Sequence, residues 1–421
     1  MTDFGSPLME RLDALAAFSQ DSSGQGGGAL TRLFLSPQHK AAADQVAAWM
    51  KDAGMVVHLD AVGTVVGRYE GAAPGAPALL LGSHIDTVRN AGKYDGNLGV
   101  LAAIAAVAEL NRLGERLPFA VEVLAFGDEE GVRFPHTLTG SRAVAGRFDP
   151  DALEARDRDG VRMADALRAF GGDPDAVASV ARKPGEALAF LEVHIEQGPV
   201  LEAEGLPVGI VTAINGASRF SVRLRGMAGH AGTVPMGHRR DALVAAAEMV
   251  LAVERVASSI PDVVATVGRI EAKPGAVNVI PGEVVFTLDV RAPEDAARDA
   301  ACAAIRAELE GIAARRGVDM TVEGTHDDAA AVCSPAIIER IDAAVRRAGI
   351  RPRRLPSGAG HDAMSFAGSF AGALPMGMLF VRCKGGISHN PAESITVEDA
   401  DLSVRILLDL LRHFDHETLS A

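Results

Sequence analysis

ALLLGSHIDTVRNAGKYDGNLGVLAAIAAVAELNRLGERLPFAVEVLAF, residues 78–126, is the stretch on which the fold class turns. Ala78 to Gly82 is a short, wholly apolar run set off by Pro77, and it reads as a buried strand. A polar loop follows. Leu98 to Leu113 then has a helical pattern ended by Gly114, and Phe119 to Phe126 is a second strand of the buried kind. Strand, helix, strand in this order predicts a parallel sheet covered by helices.

Upstream, Ser36 caps and Pro37 opens a helix whose face carries Ala42, Val46 and Met50, with Gly54 as its stop. Downstream, Ala187 to Val193 is another strand. The pattern changes near Ile214: Phe220, Val222 and Leu224 alternate with polar residues, as in a half-buried strand. A helix from Arg240 to Val256, strand-like runs Val263 to Ile270 and Glu283 to Val290, an amphipathic helix from Glu294 to Arg316 and a strand Met320 to Glu323 make a small α+β unit. From Ser334 the α/β character returns, with a helix to Gly349, the strand Met376 to Val381 and a last helix from Val397 to His413. The expectation is a discontinuous α/β domain, residues 1–213 and 328–421, with a mixed, mostly parallel sheet and a second domain, 214–327, inserted into it. Beyond a small glycine-rich loop at Gly24 to Gly28, no repeat or low-complexity segment stands out.

A chain of 421 residues, 48% hydrophobic and 23% charged, has the profile of a soluble two-domain protein. Its net charge of −14 offers no basic stripe to neutralise phosphates and argues against a nucleic-acid partner. A small substrate is the better expectation, and its anionic groups would need a local cation, either a metal or an arginine. Cys302, Cys333 and Cys383 are widely separated, without a CxxC pair, which supports neither a disulfide framework nor a thiolate zinc site. A reducing cytoplasm fits. The first residues lack a basic region followed by an apolar run, so no signal peptide is expected, and no apolar stretch has membrane-spanning length; the best, Val100 to Ala108, is cut off by Glu109.

Five motifs carry the candidate chemistry. In Gly82-Ser83-His84-Ile85-Asp86-Thr87, at a strand end, an imidazole can face a metal while Asp86 holds its other nitrogen; alone it reads better as a loop histidine with a local turn. Asp95, before the Leu98 helix, is a helix cap by base rates, yet its two oxygens also suit it to bridging two ions. Asp128-Glu129-Glu130 places three acids in succession after a strand. Their mutual repulsion is relieved by solvent in an exposed turn, or by a cation if the turn faces a cleft. One carboxylate would then ligate and its neighbour take a proton from water. His194 ends the fourth motif, and His389 sits in a glycine-bracketed loop after a strand. Of twelve histidines, others such as His39 and His413 read as surface residues of helices. Recurrence decides: four of the five motifs follow separate buried strands and the fifth opens the helix after His84. Histidines and carboxylates without cysteine suit Zn²⁺, Mn²⁺, Co²⁺ or Ni²⁺.

The chain resembles the dinuclear-metal amidohydrolases that include allantoate amidohydrolases, N-carbamoyl-L-amino acid hydrolases and β-ureidopropionases, relatives of the aminoacylase and carboxypeptidase-type metallopeptidases. The resemblance runs from about Thr31 to the last helix. It rests on GSHIDTV at Gly82, YDGNLGV at Tyr94, GDEEGVRF at Gly127, HIEQGPVLE at His194, GHAGTVPMGHRRDA at Gly229, NVIPG at Asn278, SGAGHDAM at Ser357 and GISHNPAE at Gly386. One departure is Ala91, where glycine is more usual.

The resemblance implies a metallopeptidase-like catalytic domain with an inserted lid and dimerisation domain, and hence a homodimer. It implies two divalent ions, Zn²⁺ or Mn²⁺, one held by His84 and His194 and the other by Glu130 and His389, with Asp95 bridging. Asp86 would orient His84, Glu129 would be the general base and His230 would bind the oxyanion, delivered from the partner subunit's lid. Asn278, Gln197 and Gly360 would touch the substrate, and Arg291 would clamp its carboxylate, where the residues alone also allow a surface pair with Asp289. Related peptidase branches carry an acid at the position of His194. The implied reaction is hydrolysis of a ureido C–N bond, with allantoate the first substrate, releasing ammonia and carbon dioxide, and an N-carbamoyl-L-amino acid or N-carbamoyl-β-alanine the next. An aminoacylase-like peptidase or a non-catalytic metal-binding protein is the remoter alternative, and retention of Glu129 counts against the latter.

Overall fold

The structure, a computed structural model, describes residues 2–20, 29–368 and 372–416; the glycine loop at Gly24 to Gly28 lies outside them. The chain divides into two compact units. Unit 1 is Met1–Thr212, Cys333–Leu355 and Ala359–Ala421, and unit 2 is Ala213–Val332 with Pro356–Gly358. The return to unit 1 falls at Cys333 because Ala331 and Val332 still pair with Ile214 and Ala213. No helix among the described residues is long and apolar enough to cross a membrane.

Along unit 1 run β1 (Val56–Leu59), β2 (Val65–Tyr69), β3 (Ala78–His84), β4 (Ala120–Phe126), β5 (Ala187–Ile195) and β6 (Val208–Ile214), the last carrying the chain into unit 2. Every residue of β3 and β4 is buried, the state their unbroken apolar runs predict. The helix between them, Asn97–Leu113, is also largely buried and stops at Gly114 in the left-handed region. Pro37–Asp52 forms a helix whose N-cap, Ser36, accepts the amide of His39.

Unit 2 contains β7 (Gly216–Arg225), β8 (Gly229–His230), β9 (Val264–Thr266), β10 (Ile270–Lys273), β11 (Val279–Ile280), β12 (Glu283–Ala292), β13 (Asp319–Asp328) and β14 (Ala331–Val332). The sheet order is β10-β12-β7-β13, all antiparallel, with β9 also paired to β12. The run Val263 to Ile270, read as one strand, is two short ones separated at Val267–Arg269. Along β12 burial alternates, so Val284, Phe286, Leu288 and Val290 face inward. They pack with Ala245, Met249, Ile305 and Leu309 from the two helices Ala242–Ser258 and Asp295–Arg316. Burying each large side chain stabilises the unit by about 1.5–3 kcal/mol.

The chain then supplies β15 (Arg354–Ser357) and β16 (Met376–Val381). In the larger sheet the order runs β1-β2-β4-β3-β5-β16-β6. Parallel pairing joins β4, β3, β5 and β16, whereas β1, β2 and β6 are antiparallel. The sheet is therefore mixed, with a parallel centre. Because those four strands share a direction, their carboxyl ends lie on one edge, the usual place for a ligand in such a sheet.

His39 is a correction. It is wholly buried, not a surface residue. Its ring stacks on Phe170 at 4.9 Å between centroids, and its Nδ1 accepts the amide of Leu35 at 3.1 Å. Burial first, then the charges of Arg32 and Arg133, pushes its pKa down from 6.5 to about 3. The unfolded chain thus binds a proton that the folded chain refuses, and stability is lost as pH falls below the unfolded value. By pH 5 the loss from this group is about 2 kcal/mol. His39→Gln, whose amide oxygen can accept the same amide, should flatten the stability curve measured in urea between pH 5 and 8. Parallel curves for the two proteins would refute this.

Candidate metal centre

Four strand ends and one helix start build the centre. His84 is the last residue of β3, and His194 the penultimate residue of β5. Glu129 and Glu130 follow β4, and His389 follows β16. Asp95 precedes the Asn97–Leu113 helix, but its carboxylate does not cap it: the N-cap is Gly96 and no side chain bonds there. Gly96, at φ 66, packs so closely on His84 that a Cβ would lie 2.5 Å from the ring. Glycine is required at this position. Asp128, also at φ 66, turns its buried carboxylate to the Thr139 hydroxyl, so only two of the three successive acids face the centre.

Asp95 is the hub. Its Oδ1 lies 3.3 Å from Nε2 of His84 and 3.1 Å from Nε2 of His194. Its Oδ2 lies 3.3 Å from Nε2 of His389, which is 3.6 Å from Oε2 of Glu130. Donor atoms of His84, Asp95 and His194 fall within 4.8 Å of one another, as do those of Asp95, Glu130 and His389. Oε2 of Glu129 is 3.9 Å from Nε2 of His84, and Glu129 with His84 and Glu130 makes a further group of the same compactness. His389 is half exposed, so the centre is open on its side.

The protonation pattern fits a cation. Nδ1 of His84 meets the main-chain oxygen of Asp86 at 3.0 Å, and Nδ1 of His194 that of Ile195 at 2.9 Å. Both Nδ1 atoms are therefore donors, which leaves the lone pair of each Nε2 available to a metal ion. The Gly96 amide donates to Nε2 of His194 at 3.2 Å, which marks that nitrogen as a lone-pair acceptor. A lone pair and a carboxylate oxygen 3.1 Å apart repel unless a positive charge lies on both.

The titration of the group tells the same story. Burial disfavours charged rings at His84 and His194, yet the carboxylates beside them outweigh it and hold both above their ordinary value. Burial would raise Asp95, but the imidazoles of His194, His389 and His84 set against it hold it well below the carboxylate range. Burial pushes Glu129 well up and Glu130 up to about 7, with neighbouring carboxylates adding to both shifts. Among the described residues no lysine or arginine pairs with these acids. A divalent ion binds the same lone pairs as those protons and would release them. The donor set fits such ions.

Asp86 departs from its expected contact. Its carboxylate is 3.8 Å from Nδ1 of His84 and instead accepts the amides of Glu129 and Glu130 at 3.2 and 3.4 Å. It thus shapes the turn that presents both glutamates, while His84 is oriented by the Asp86 backbone. Gln197, at φ 55, donates to Oδ2 of Asp95 at 2.7 Å and to the Ser388 hydroxyl at 3.2 Å, leaving its buried Oε1 without a partner. A Cβ on Gly360 would lie 3.8 Å from Oε1 of Glu129, so that glycine flanks the base candidate. Ala91 is accommodated: it is buried and exchanges two backbone hydrogen bonds with Leu30.

His230, Asn278 and Arg291 belong to unit 2. His230 pairs with Val279 across the β8–β11 ribbon, and the Asn278 carbonyl accepts the Ala231 amide at 3.0 Å. Nδ1 of His230 accepts the Gly232 amide at 3.0 Å, so its Nε2 carries the hydrogen. Arg291 makes the pair that the residues alone allowed: Nε and Nη2 meet Asp289 at 2.8 and 3.1 Å, and Nη1 meets the Gly358 carbonyl at 2.7 Å.

Three residues at the centre escaped the sequence reading. Glu192 and His361, both buried, form a compact donor group with His194. Glu393, 4% exposed, accepts main-chain amides of the Asp95 loop. His361 and Glu393 stand inside the SGAGHDAM and GISHNPAE motifs, and Glu192 two residues before His194, so the signal was adjacency to a ligand candidate.

Residues 80–413 match the family described as peptidase family M20/M25/M40. The chain is 42% identical over 403 residues to an N-carbamoyl-L-amino acid amidohydrolase of Geobacillus stearothermophilus, covering 96% of this chain and 97% of that one. It is 42% identical over 407 residues to a probable allantoate deiminase of Oryza sativa subsp. japonica, covering 89% and 82%. Among solved structures, an amidase of the hydantoinase/carbamoylase family from Burkholderia multivorans superposes with a TM-score of 0.90 at 34% identity, covering 97% of each chain.

Proposed function

Since the chain belongs to peptidase family M20/M25/M40, we propose that it is a metal-dependent amidohydrolase cleaving the ureido C–N bond of a small carboxylate, with allantoate as its first substrate. The observation that carries this reading is the sharing of Asp95 by two donor groups, His84 with His194 and Glu130 with His389. Those residues would hold two divalent ions, Zn²⁺ or Mn²⁺. Such ions, when bound, polarise a carbonyl and make water more acidic. Glu129 takes the proton of the attacking water and returns it to the leaving ammonia, serving as base and then as acid. His230, with its hydrogen on Nε2, donates to the oxyanion. Gln197 offers its free Oε1 to a ureido N–H. Arg291 supplies the planar fork for the substrate carboxylate, with Asn278 and Gly360 as further contacts.

One relative named for each activity is 42% identical to this chain, so an N-carbamoyl-L-amino acid is the second reading, favoured by the near-complete coverage of the Geobacillus protein. Both kinds of substrate carry the ureido group on the carbon next to the carboxylate. Ammonia release from allantoate, several N-carbamoyl-L-amino acids and N-carbamoyl-β-alanine, with Mn²⁺ added, separates them. Allantoate should turn over fastest. Equal low rates on all would overturn that preference.

The same reading includes a homodimer through unit 2. Its support is an apolar sheet edge: Val264 and Ile270, on the two short strands outside β12, are 53% and 45% exposed, and Leu251 on the Ala242–Ser258 helix is 63% exposed. An edge of this kind invites pairing with a second copy. Light scattering should find twice the chain mass for the wild type and a folded monomer for Val264→Lys with Ile270→Lys. A monomeric wild type would refute the dimer.

A further inference from the structure

The turn that follows His389 brings a buried carboxylate back beneath the Asp95 loop. Asn390 closes that turn: its carbonyl accepts the Glu393 amide at 3.0 Å, and its Oδ1 accepts the Ala392 amide at 2.9 Å. Oε1 of Glu393 then accepts the amides of Tyr94 at 2.8 Å and Asp95 at 3.0 Å. Oε2 lies 2.9 Å from the Ser388 hydroxyl, which lies 2.9 Å from Oδ2 of Asp95. Gly92 leaves the room required, since a Cβ there would fall 2.4 Å from the Glu393 side chain. One carboxylate thus joins the segment carrying Asp95 to the segment carrying His389.

From this juxtaposition we infer that Glu393 is the positioning residue for the second ion, fixing Asp95 against His389 in the Asp95–Glu130–His389 group. This rests on the two-ion reading above. Glu393 touches neither His84 nor His194, which reach their positions on β3 and β5. Its influence on the His84–Asp95–His194 group passes only through Asp95, by the backbone amide and by the Ser388 hydroxyl on Oδ2, the oxygen that faces His389. Removing it leaves two buried amides without acceptors and frees the His389 turn, so the second ion should suffer far more than the first. A glutamine keeps the essential contacts. Its Oε1 can accept both amides, and its Nε2 can donate to Ser388, whose own hydrogen then goes to Asp95.

The test is Zn²⁺ uptake by the metal-stripped full chain against a chromophoric chelator, for wild type, Glu393→Ala and Glu393→Gln, with thermal melts run alongside. Wild type and Glu393→Gln should take up two ions with closely similar affinities. Glu393→Ala should bind one ion as the wild type does and the other about 10- to 100-fold more weakly, the usual effect of losing a residue that orients a ligand. If Glu393→Ala does not fold, Glu393→Asp replaces it; its shorter reach cannot satisfy both loops, and the same selective weakening is expected. Two ions bound with wild-type affinity in the folded Ala or Asp variant overturns the inference, as does equal weakening of both ions. A wild type that takes up fewer than two ions overturns the two-ion reading, and this inference with it.

Discussion

Glu129→Gln should keep both ions and lose about 10²–10⁴-fold in turnover, the scale of general acid–base catalysis. The substitution is nearly isosteric and removes only the ability to take a proton. Its surroundings make the test sharp. Glu129 sits 3.9 Å from Nε2 of His84, within a compact group that also contains Glu130. A carboxylate there can be a base or a ligand, and geometry alone permits both. Metal content separates the two roles: a base variant stays loaded, whereas a ligand variant loses an ion. Near-normal turnover removes Glu129 from the chemistry altogether.

Asp95→Ala should be more damaging. Three imidazoles converge on this one carboxylate at 3.1 to 3.3 Å, and both donor groups include it. Without it, His84 and His194 face each other across an empty position, and Glu130 and His389 lose their shared partner. Neither ion should remain at micromolar concentration. Activity should fall by roughly 10³–10⁴-fold or more, the loss of several kcal/mol of Lewis-acid stabilisation. Elemental analysis after gel filtration, read with an ammonia assay, checks both. A variant that keeps one ion would show that Asp95 serves a single group.

Much of this centre was legible because its parts have local signatures. A histidine at the end of an apolar run, or an acidic pair just past one, can be read from ten residues, and parallel strands bring such ends together. The ligand candidates arise this way, apart from Asp95, which could as well have been a cap until the structure placed Gly96 at that position. Adjacency to a ligand candidate could have flagged the residues that escaped, but not their partners. Glu393 acts on amides 298 and 299 residues away, and nothing around it predicts that partnership.

His39 is a different lesson. It shares a helical face with Ala42, Val46 and Met50, so periodicity placed it inward, and only its polarity argued otherwise. The antiparallel flanks β1 and β2 were missed because both are short; β1 is exposed or half-buried along its length. For Arg291, alternation placed it on one face with Asp289, and pairing of the two is what the structure records.

The most direct measurement is ammonia release from allantoate and N-carbamoyl-L-amino acids by the purified chain, before chelation, after it, and after Mn²⁺ or Zn²⁺ is restored. The expected result is release that disappears with the chelator and returns with the ion on at least one of these substrates. Release that survives complete metal removal would contradict the proposal, as would no release from any ureido compound by protein loaded with two ions.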